Sequence, residues 1–409
     1  MTVDDLNLTA SKRRVITLLN RHGTMTKREL AQMGQMGWAT VVKVINQLME
    51  DGIITTFGTQ QRQGQGKGKH AYLYGMTHDR PLAIGIDVEY RTTSVLLTNL
   101  RGDLLAESSY ETPEETGYKP ACEFLRDTIA DFAAKHDVVV SSLAGIGIGM
   151  PGIGFISPAH RDKVERSRDL ERYLSEQFST LVRIETNTKA YAVFEKWSNE
   201  TFGYSDFIFV AIRTGVGTGI FYDGKLFNGS HNLAGEIGHM KVVPDGPPCR
   251  CGSAGCMETV VNRNYLLEQY RTHVLKQAEQ GSVSRSLHME DGLADLFSRA
   301  KAGEKSARLI VDTAALHLGQ CIANAIAVLD ITNIIISGHF GEDGDAIVEP
   351  VKQVVRNSVL PRVDFEIAYV PFDPAGHTHG AALLVLNDYF VDVPPRSSHT
   401  AQSLDKEPA

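Results

Sequence analysis

The chain has 409 residues, 42% of them hydrophobic and 22% charged, with a net charge of −8. That length exceeds the ~100 to 200 residues of one domain, so two or three cores are expected in an ordinary globular protein. The start, MTVDDLNLTASKRR, places acids before bases and has no apolar core, so no secretory signal is expected in it. No uninterrupted apolar run approaches the ~18 residues of a membrane-spanning helix, so the expectation is a cytoplasmic protein without membrane insertion.

Charge is unevenly distributed. Residues 1–75 hold ten Lys and Arg against five Asp and Glu, net +5, which leaves 31 against 44, net −13, for the rest. A basic head on an acidic body points to a nucleic-acid partner for the head alone.

In the head, Val15, Ile16, Leu18 and Leu19 recur at helical spacing between Ser11 and Arg21, and HGT at 22–24 ends the helix. TKRE at 26–29 is a capping box, Thr26 with Glu29, which opens a short second helix. After the glycine-containing turn at 34–37 a third helix runs from Trp38 to Glu50, with Val41, Val44, Ile45 and Leu48 inward and Thr40, Lys43, Asn46 and Gln47 outward. DGIITTF and HAYLY read as paired strands around GTQQRQGQGKGK, a glycine-rich loop with three bases and no acid. A small helical interaction domain is the plainer alternative. The ordered set of capping box, turn, helix and acid-free loop favours a winged helix-turn-helix with its third helix in the major groove of double-stranded DNA. Thr40, Lys43 and Asn46 are the candidate contacts on that helix, and Arg62, Lys67 and Lys69 those on the wing. A dimer of such heads would read a palindrome.

The body alternates helices with apolar runs that end in glycine: PLAIGIDVEYRTTSVLL, LAGIGIGMPGIGF, FIFVAIRTGVGTGIF and TNIIISGHFGEDG. This is an α/β pattern in which glycine turns let backbone N–H groups approach a ligand. Three of the five cysteines fall in CRCGSAGC at 249–256. A disulfide, a redox centre, a catalytic metal and a structural metal are all candidates, and a reducing compartment favours metal ligands. Cys122 and Cys321 lie in apolar helical surroundings and read as core.

In order along the body stand GIGMPG at 147–152, TGVGTG at 214–219, EIGH at 236–239, CRCGSAGCME at 249–258 and GAALL at 380–384. With these motifs the chain resembles the ROK family of repressors and sugar kinases, over residues 80 to about 390. The resemblance implies a two-lobed, actin-like ATPase fold, and its transcription-factor branch implies an N-terminal winged helix. The expected organisation is a winged helix over 1–78, a ROK body over 79–390 and a disordered tail over 391–409.

His239, Cys249, Cys251 and Cys256 make a Cys₃His set that suits one tetrahedral zinc, and the family motif implies the same four ligands. With all four positions filled by protein, no reactive water is held, so the zinc is expected to be structural. Glu236 and Glu258 flank these ligands. The resemblance implies that they bond sugar hydroxyls, with His239 also near the sugar and Gly152, Thr186 and Asn187 completing the ligand site.

The kinase chemistry does not carry over. Family kinases hold a V-E-N-D-A-N-like stretch with the sugar-binding asparagine and the catalytic aspartate, and here Ile184-Glu185-Thr186-Asn187-Thr188-Lys189 stands there. A neutral amide at 187 cannot accept the hydroxyl proton, a contribution of roughly 10² to 10⁴ in rate. The D-x-G-G-T-like phosphate turn is replaced by Asp87-Val88-Glu89-Tyr90-Arg91-Thr92, whose Glu89 would repel ATP. The glycines of TGVGTG are expected to persist for packing alone.

The sequence thus reads as a regulator, most simply a repressor of carbohydrate genes, acting as a homodimer or homotetramer and nucleoid-associated when bound to its operator. Its effector is expected to be a sugar or a sugar phosphate, the latter hinted at by Lys189 and Arg213, although surface exposure explains both bases equally well. A residual sugar kinase and a regulator answering to a protein partner are the alternatives.

Overall fold

A computed structural model of the chain describes residues 8–60, 71–78, 82–114, 117–151, 163–198, 204–279 and 292–387. The wing bases Arg62, Lys67 and Lys69, the site glycine Gly152 and the tail from 391 lie outside the described residues.

The head begins with α1 (Ala10–His22), whose N-cap Thr9 accepts from the Lys12 backbone N–H. Next come β1 (Met25–Thr26), α2 (Lys27–Met33), α3 (Trp38–Glu50), β2 (Ile54–Gln60) and β3 (Ala71–Met76). The capping box is formed: Thr26 Oγ1 accepts from the Glu29 N–H and Glu29 Oε2 accepts from the Thr26 N–H at 2.7 Å. The two-residue β1 joins the hairpin to give a three-stranded sheet in the order β1-β3-β2. Lys12 is buried and pairs with Asp51 at 2.9 Å, which ties α1 to the end of α3.

The body repeats one arrangement twice. In the first lobe β4 (Ala83–Val88), β5 (Thr92–Thr98) and β6 (Leu104–Glu111) form an antiparallel meander, and β7 (Gly145–Met150) and β8 (Val182–Thr186) extend it in parallel, giving the order β6-β5-β4-β7-β8. The crossovers are α4 (Tyr118–Lys135) and α5 (Lys163–Phe178). In the second lobe β9 (Phe207–Ile212), β10 (Val216–Tyr222) and β11 (Lys225–Leu226) form the meander, and β12 (Asn333–Gly338) and β13 (Glu366–Pro371) add in parallel. β4, β7 and β9 are buried along their whole length, which is why they read as unbroken apolar runs rather than alternating ones. This doubled sheet is the two-lobed actin-like fold.

Helix α6 (Asn187–Ser198) leads out of the first lobe, and α7 (Glu258–Val261), α8 (Arg263–Glu279), α9 (Gly292–Lys301), α10 (Lys305–Leu329) and α11 (Val348–Ser358) belong to the second. Helix α10 is long and apolar enough by composition to cross a membrane, but more than half of its most apolar stretch is buried inside the fold, where Val311, Ala315, Leu318 and Ile322 pack with α9 and the second sheet. It is a core helix, and Cys321 is among its buried residues, as Cys122 is among those of α4.

The last helix, α12 (Gly376–Leu386), returns to the first lobe and lies against α6, β4 and β7. It approaches so closely that a Cβ on Gly147 would sit 1.7 Å from the Ala381 carbonyl oxygen. At its far end Val385 and Leu386 belong to one apolar cluster with Leu82 and Leu96 of the first lobe and with Val15, Ile45 and Met76 of the head. The substitution Gly147→Ala is therefore expected to force α12 off the sheet and to cost about 3 kcal/mol, the upper end for overpacking. Urea unfolding of the two proteins measures this, and a loss below about 1 kcal/mol would show that the contact yields.

Candidate functional site

Between the lobes lies a cavity of about 370 Å³. Its walls come from the β4–β5 turn, the start of α6, the β9–β10 turn, residues 234–236 and the metal-type cluster, so the sequence-separated motifs meet here. Of the sugar-site residues expected from sequence, Thr186, Asn187, Glu236, His239 and Glu258 all line it.

The thiols and imidazole of Cys249, Cys251, Cys256 and His239 converge, with all four ligand atoms within 4.8 Å of one another. The Cys251 and Cys256 sulfurs are 3.7 Å apart and Cys249 Sγ is 3.5 Å from His239 Nδ1. A tetrahedral ion held ~2.3 Å from each sulfur places sulfurs about 3.8 Å apart, so these four residues fit one such ion. Isolated bridges from Lys241 to Cys256 and from Pro248 to Ala254 hold the loop that carries them.

Both site glutamates are tied to this cluster. His239 faces Glu258 Oε1 through Nδ1 at 3.6 Å and Glu236 Oε2 through Nε2 at 3.7 Å. Glu258 is the more buried of the two, and its Oε1 accepts from the Cys249 thiol at 3.0 Å while Arg250 Nη2 lies 3.6 Å from its Oε2. Burial, followed by the neighbouring Glu258 carboxylate, pushes the Cys249 thiol well up.

Asn187 opens α6 and is buried. Its amide nitrogen donates to Asp87 Oδ1 at 2.5 Å and to the Val88 carbonyl at 3.0 Å, so both donor hydrogens are used within the first lobe. This narrows the expectation that Asn187 bonds a sugar hydroxyl, because only its carbonyl oxygen remains to do so. Thr186, which ends β8, caps α6 by accepting from the Lys189 N–H at 3.3 Å.

The two bases that hinted at a phosphorylated sugar are already occupied. Lys189 is 2% exposed, so surface exposure does not explain it; its ammonium donates to Asn232 Oδ1 at 2.9 Å and lies 3.5 Å from Glu185 Oε2. Arg213 pairs with Glu89 through Nη2, and its Nη1 is 2.9 Å from His377 Nε2. Asn232, Glu89 and His377 lie 43, 124 and 164 residues from the bases they meet, which is why spacing alone did not reveal them. The TGVGTG glycines have packing reasons to persist: a Cβ on Gly217 would meet Thr188 Oγ1 at 2.1 Å and one on Gly215 would meet Arg250 Nη2 at 2.6 Å.

Asp87, Tyr90, Arg250 and His377 are the site residues that sequence reasoning left without a role. Burial, aided by Glu89, raises the Asp87 carboxyl to about 7. Burial, then the Arg213 charge, holds His377 neutral by lowering it well below its ordinary value.

On the head, Thr40, Lys43 and Asn46 lie exposed along one side of α3, opposite the buried Val41, Val44, Ile45 and Leu48. Trp38, which the sequence reading left out, stands 59% exposed at the start of the same helix, and Gly37 leaves that helix without a side-chain N-cap.

Fold and site together define a sugar-kinase-like, two-lobed body that carries an N-terminal helix-turn-helix. The ROK family model matches residues 83–387, and the chain belongs to the ROK family. It is 28% identical over 353 residues to the DNA-binding transcriptional dual regulator NagC of Escherichia coli K12, covering 85% of this chain and 84% of that one. It is 30% identical over 297 residues to a glucokinase of Halalkalibacterium halodurans, covering 70% of this chain and 89% of the enzyme. Among solved structures, a ROK family transcriptional regulator homologous to E. coli MLC superposes with a TM-score of 0.70 at 20% identity, covering 93% of this chain and 96% of that one.

Asp87 predicts a pH dependence. Its folded carboxyl titrates at about 7 and its ordinary value is 3.8. The folded protein therefore holds a proton that the unfolded chain has released, and the Asp87 contribution to stability falls as pH rises from about 4 to about 7, by at most about 1.4 kcal/mol per unit. In Asp87→Asn, which keeps the acceptor for Asn187, that slope is expected to flatten. Unfolding free energies from pH 4 to 8 measure it, and an unchanged slope contradicts the assignment.

Proposed function

We propose that this protein is a sugar-responsive transcriptional repressor whose winged helix binds a palindromic operator and whose interlobe cleft binds the effector. The carrying observation is a cleft that retains the carboxylates for sugar hydroxyls, Glu236 and Glu258, while the catalytic-base position is an asparagine already bonded to Asp87 and Val88. Each carboxylate can accept from two hydroxyls, whereas Asn187 has no basic group to take a proton during phosphoryl transfer. Relatives named as N-acetylglucosamine and xylose repressors match along 81% or more of the chain, which supports the regulatory reading over the enzymatic one.

The metal in this reading is zinc, one per chain, held by His239, Cys249, Cys251 and Cys256 in a structural role. Its four protein ligands keep the loop that carries Glu236 and Glu258 in one arrangement. The thiols must lose their protons to bind it, so zinc retention weakens as pH falls. DNA contact is assigned to Thr40, Lys43 and Asn46 on α3 and to Arg62, Lys67 and Lys69 on the wing. A dimer or tetramer acting in the cytoplasm presents two heads to the two half-sites. The effector is a sugar or sugar phosphate that binds the operator-bound and free forms unequally, without which it would shift nothing.

Thermal unfolding of the zinc-loaded protein against a panel of sugars and sugar phosphates tests the cleft. A ligand at 100 times its dissociation constant adds ~2.7 kcal/mol, and the expected result is a rise in Tm with one sugar class that disappears in Glu236→Ala and after zinc removal. A flat panel contradicts a sugar effector and directs the search to a protein partner. ATP-dependent phosphorylation of any sugar by the unmodified protein would establish the kinase reading instead.

For the head, fluorescence anisotropy with a selected palindromic site is the measurement. Lys43→Ala is expected to reduce the salt slope by about 1 if the side chain meets a phosphate. Asn46→Ala is expected to cost about 1 to 3 kcal/mol with relaxed specificity if it reads a base. No change in either variant would remove α3 from the interface.

A further inference from the structure

The β4–β5 turn carries side chains where family kinases carry glycines, and two of those side chains reach across the cleft. Glu89 accepts from Arg213 Nη2, on the β9–β10 turn of the second lobe. The next residue, Tyr90, accepts at its hydroxyl from Arg250 Nη1 at 3.1 Å, from the cysteine loop of the second lobe. Arg213 is itself fixed from behind, with Nη1 2.9 Å from His377 Nε2 and the guanidinium 5.0 Å from the Phe372 ring. Arg250 lies against Gly215, the glycine of the second phosphate loop, and reaches Glu258.

We infer that the turn at 88–92 is an interlobe clasp that stands in for a nucleotide, joining the lobes through Glu89 to Arg213 and Tyr90 to Arg250. In a two-lobed ATPase the phosphates bridge the two glycine loops. Here an acidic side chain and a phenol from the first loop bond two guanidinium groups at the second, and the same acidic side chain repels phosphate. Closure is therefore set by the chain's own residues and is independent of ATP. The clasp also reaches the sugar end of the cleft: a hydroxyl that donates to Glu258 Oε2 competes with Arg250 for that oxygen, and so weighs on the Tyr90 contact. That last step rests on the sugar-sensing reading, while the clasp itself does not.

Hydrogen exchange of the zinc-loaded, full-length protein without any sugar tests the clasp separately from that reading. Glu89→Gln and Tyr90→Phe alter exposed groups and leave the fold's core untouched. Glu89→Gln is expected to speed exchange about two- to fivefold, the range of a partly exposed ion pair, at peptides 88–92 and 211–216 together. Tyr90→Phe is expected to do the same at 88–92 and 249–252. Millimolar MgATP is expected to leave the unmodified protein unchanged. Acceleration confined to the mutated turn, no acceleration, or protection of 88–92 or 211–216 by MgATP would each overturn the proposal.

Discussion

A buried carboxylate must have a donor, and the Asp87 carboxylate, at the end of a fully buried strand, finds it in the Asn187 amide. Much of the cleft follows from that bond. It joins the first strand of the body to the first turn of α6 across a hundred residues, with a second bond from the same amide to Val88. An aspartate at 187 would bring two carboxylates to this distance, which could not both ionise. The asparagine at the base position instead donates to Asp87 and Val88, so the residue that lacks a basic group is also one that ties the first lobe together.

The second lobe is organised around a different constraint, the convergence of three sulfurs and an imidazole on one point. Spacing within CRCGSAGC brings the sulfurs together, and the short helical turn Ile237–His239 brings His239 to them. Glu258 stands immediately behind, at the start of α7, its carboxylate against both Cys249 and Arg250. Glu236 and Glu258 are thus positioned by the cluster rather than by the sheet. Helix α12 touches the cleft at one end, where His377 meets the Asn187 carbonyl and Arg213, and shares a core with the winged helix at the other, through Val385 and Leu386. Any change of lobe closure that moves α12 bears directly on the packing of the head.

What was legible in the sequence was local or strongly periodic. Thr26 and Glu29 declare their helix within four residues, Val41 to Leu48 declare the buried face of α3, and the cysteine spacing declares the metal-type cluster. The two-residue strand β1 was invisible because its pairing with Leu73 and Tyr74 is made far along the chain. Lys189 misled because a lysine near a kinase-like site reads as a phosphate ligand, whereas its partners, Asn232 and Glu185, occupy it inside the fold. Glu89 was read as a group that repels phosphate, and the Arg213 partner that gives it a second role lies 124 residues away. In each case a contact made 43 or more residues away in the chain, rather than local pattern, decided the outcome.

The central claim is that the cleft and the head are thermodynamically linked, and linkage is reciprocal: if a sugar weakens operator binding by some factor, operator must weaken sugar binding by the same factor. Titrating the identified sugar into zinc-loaded protein, free and saturated with operator DNA, measures it most directly. The account predicts two dissociation constants that differ by about fivefold or more, the lower bound of ordinary allosteric coupling. Equal constants would show a sugar site that has no influence on DNA, and would contradict it.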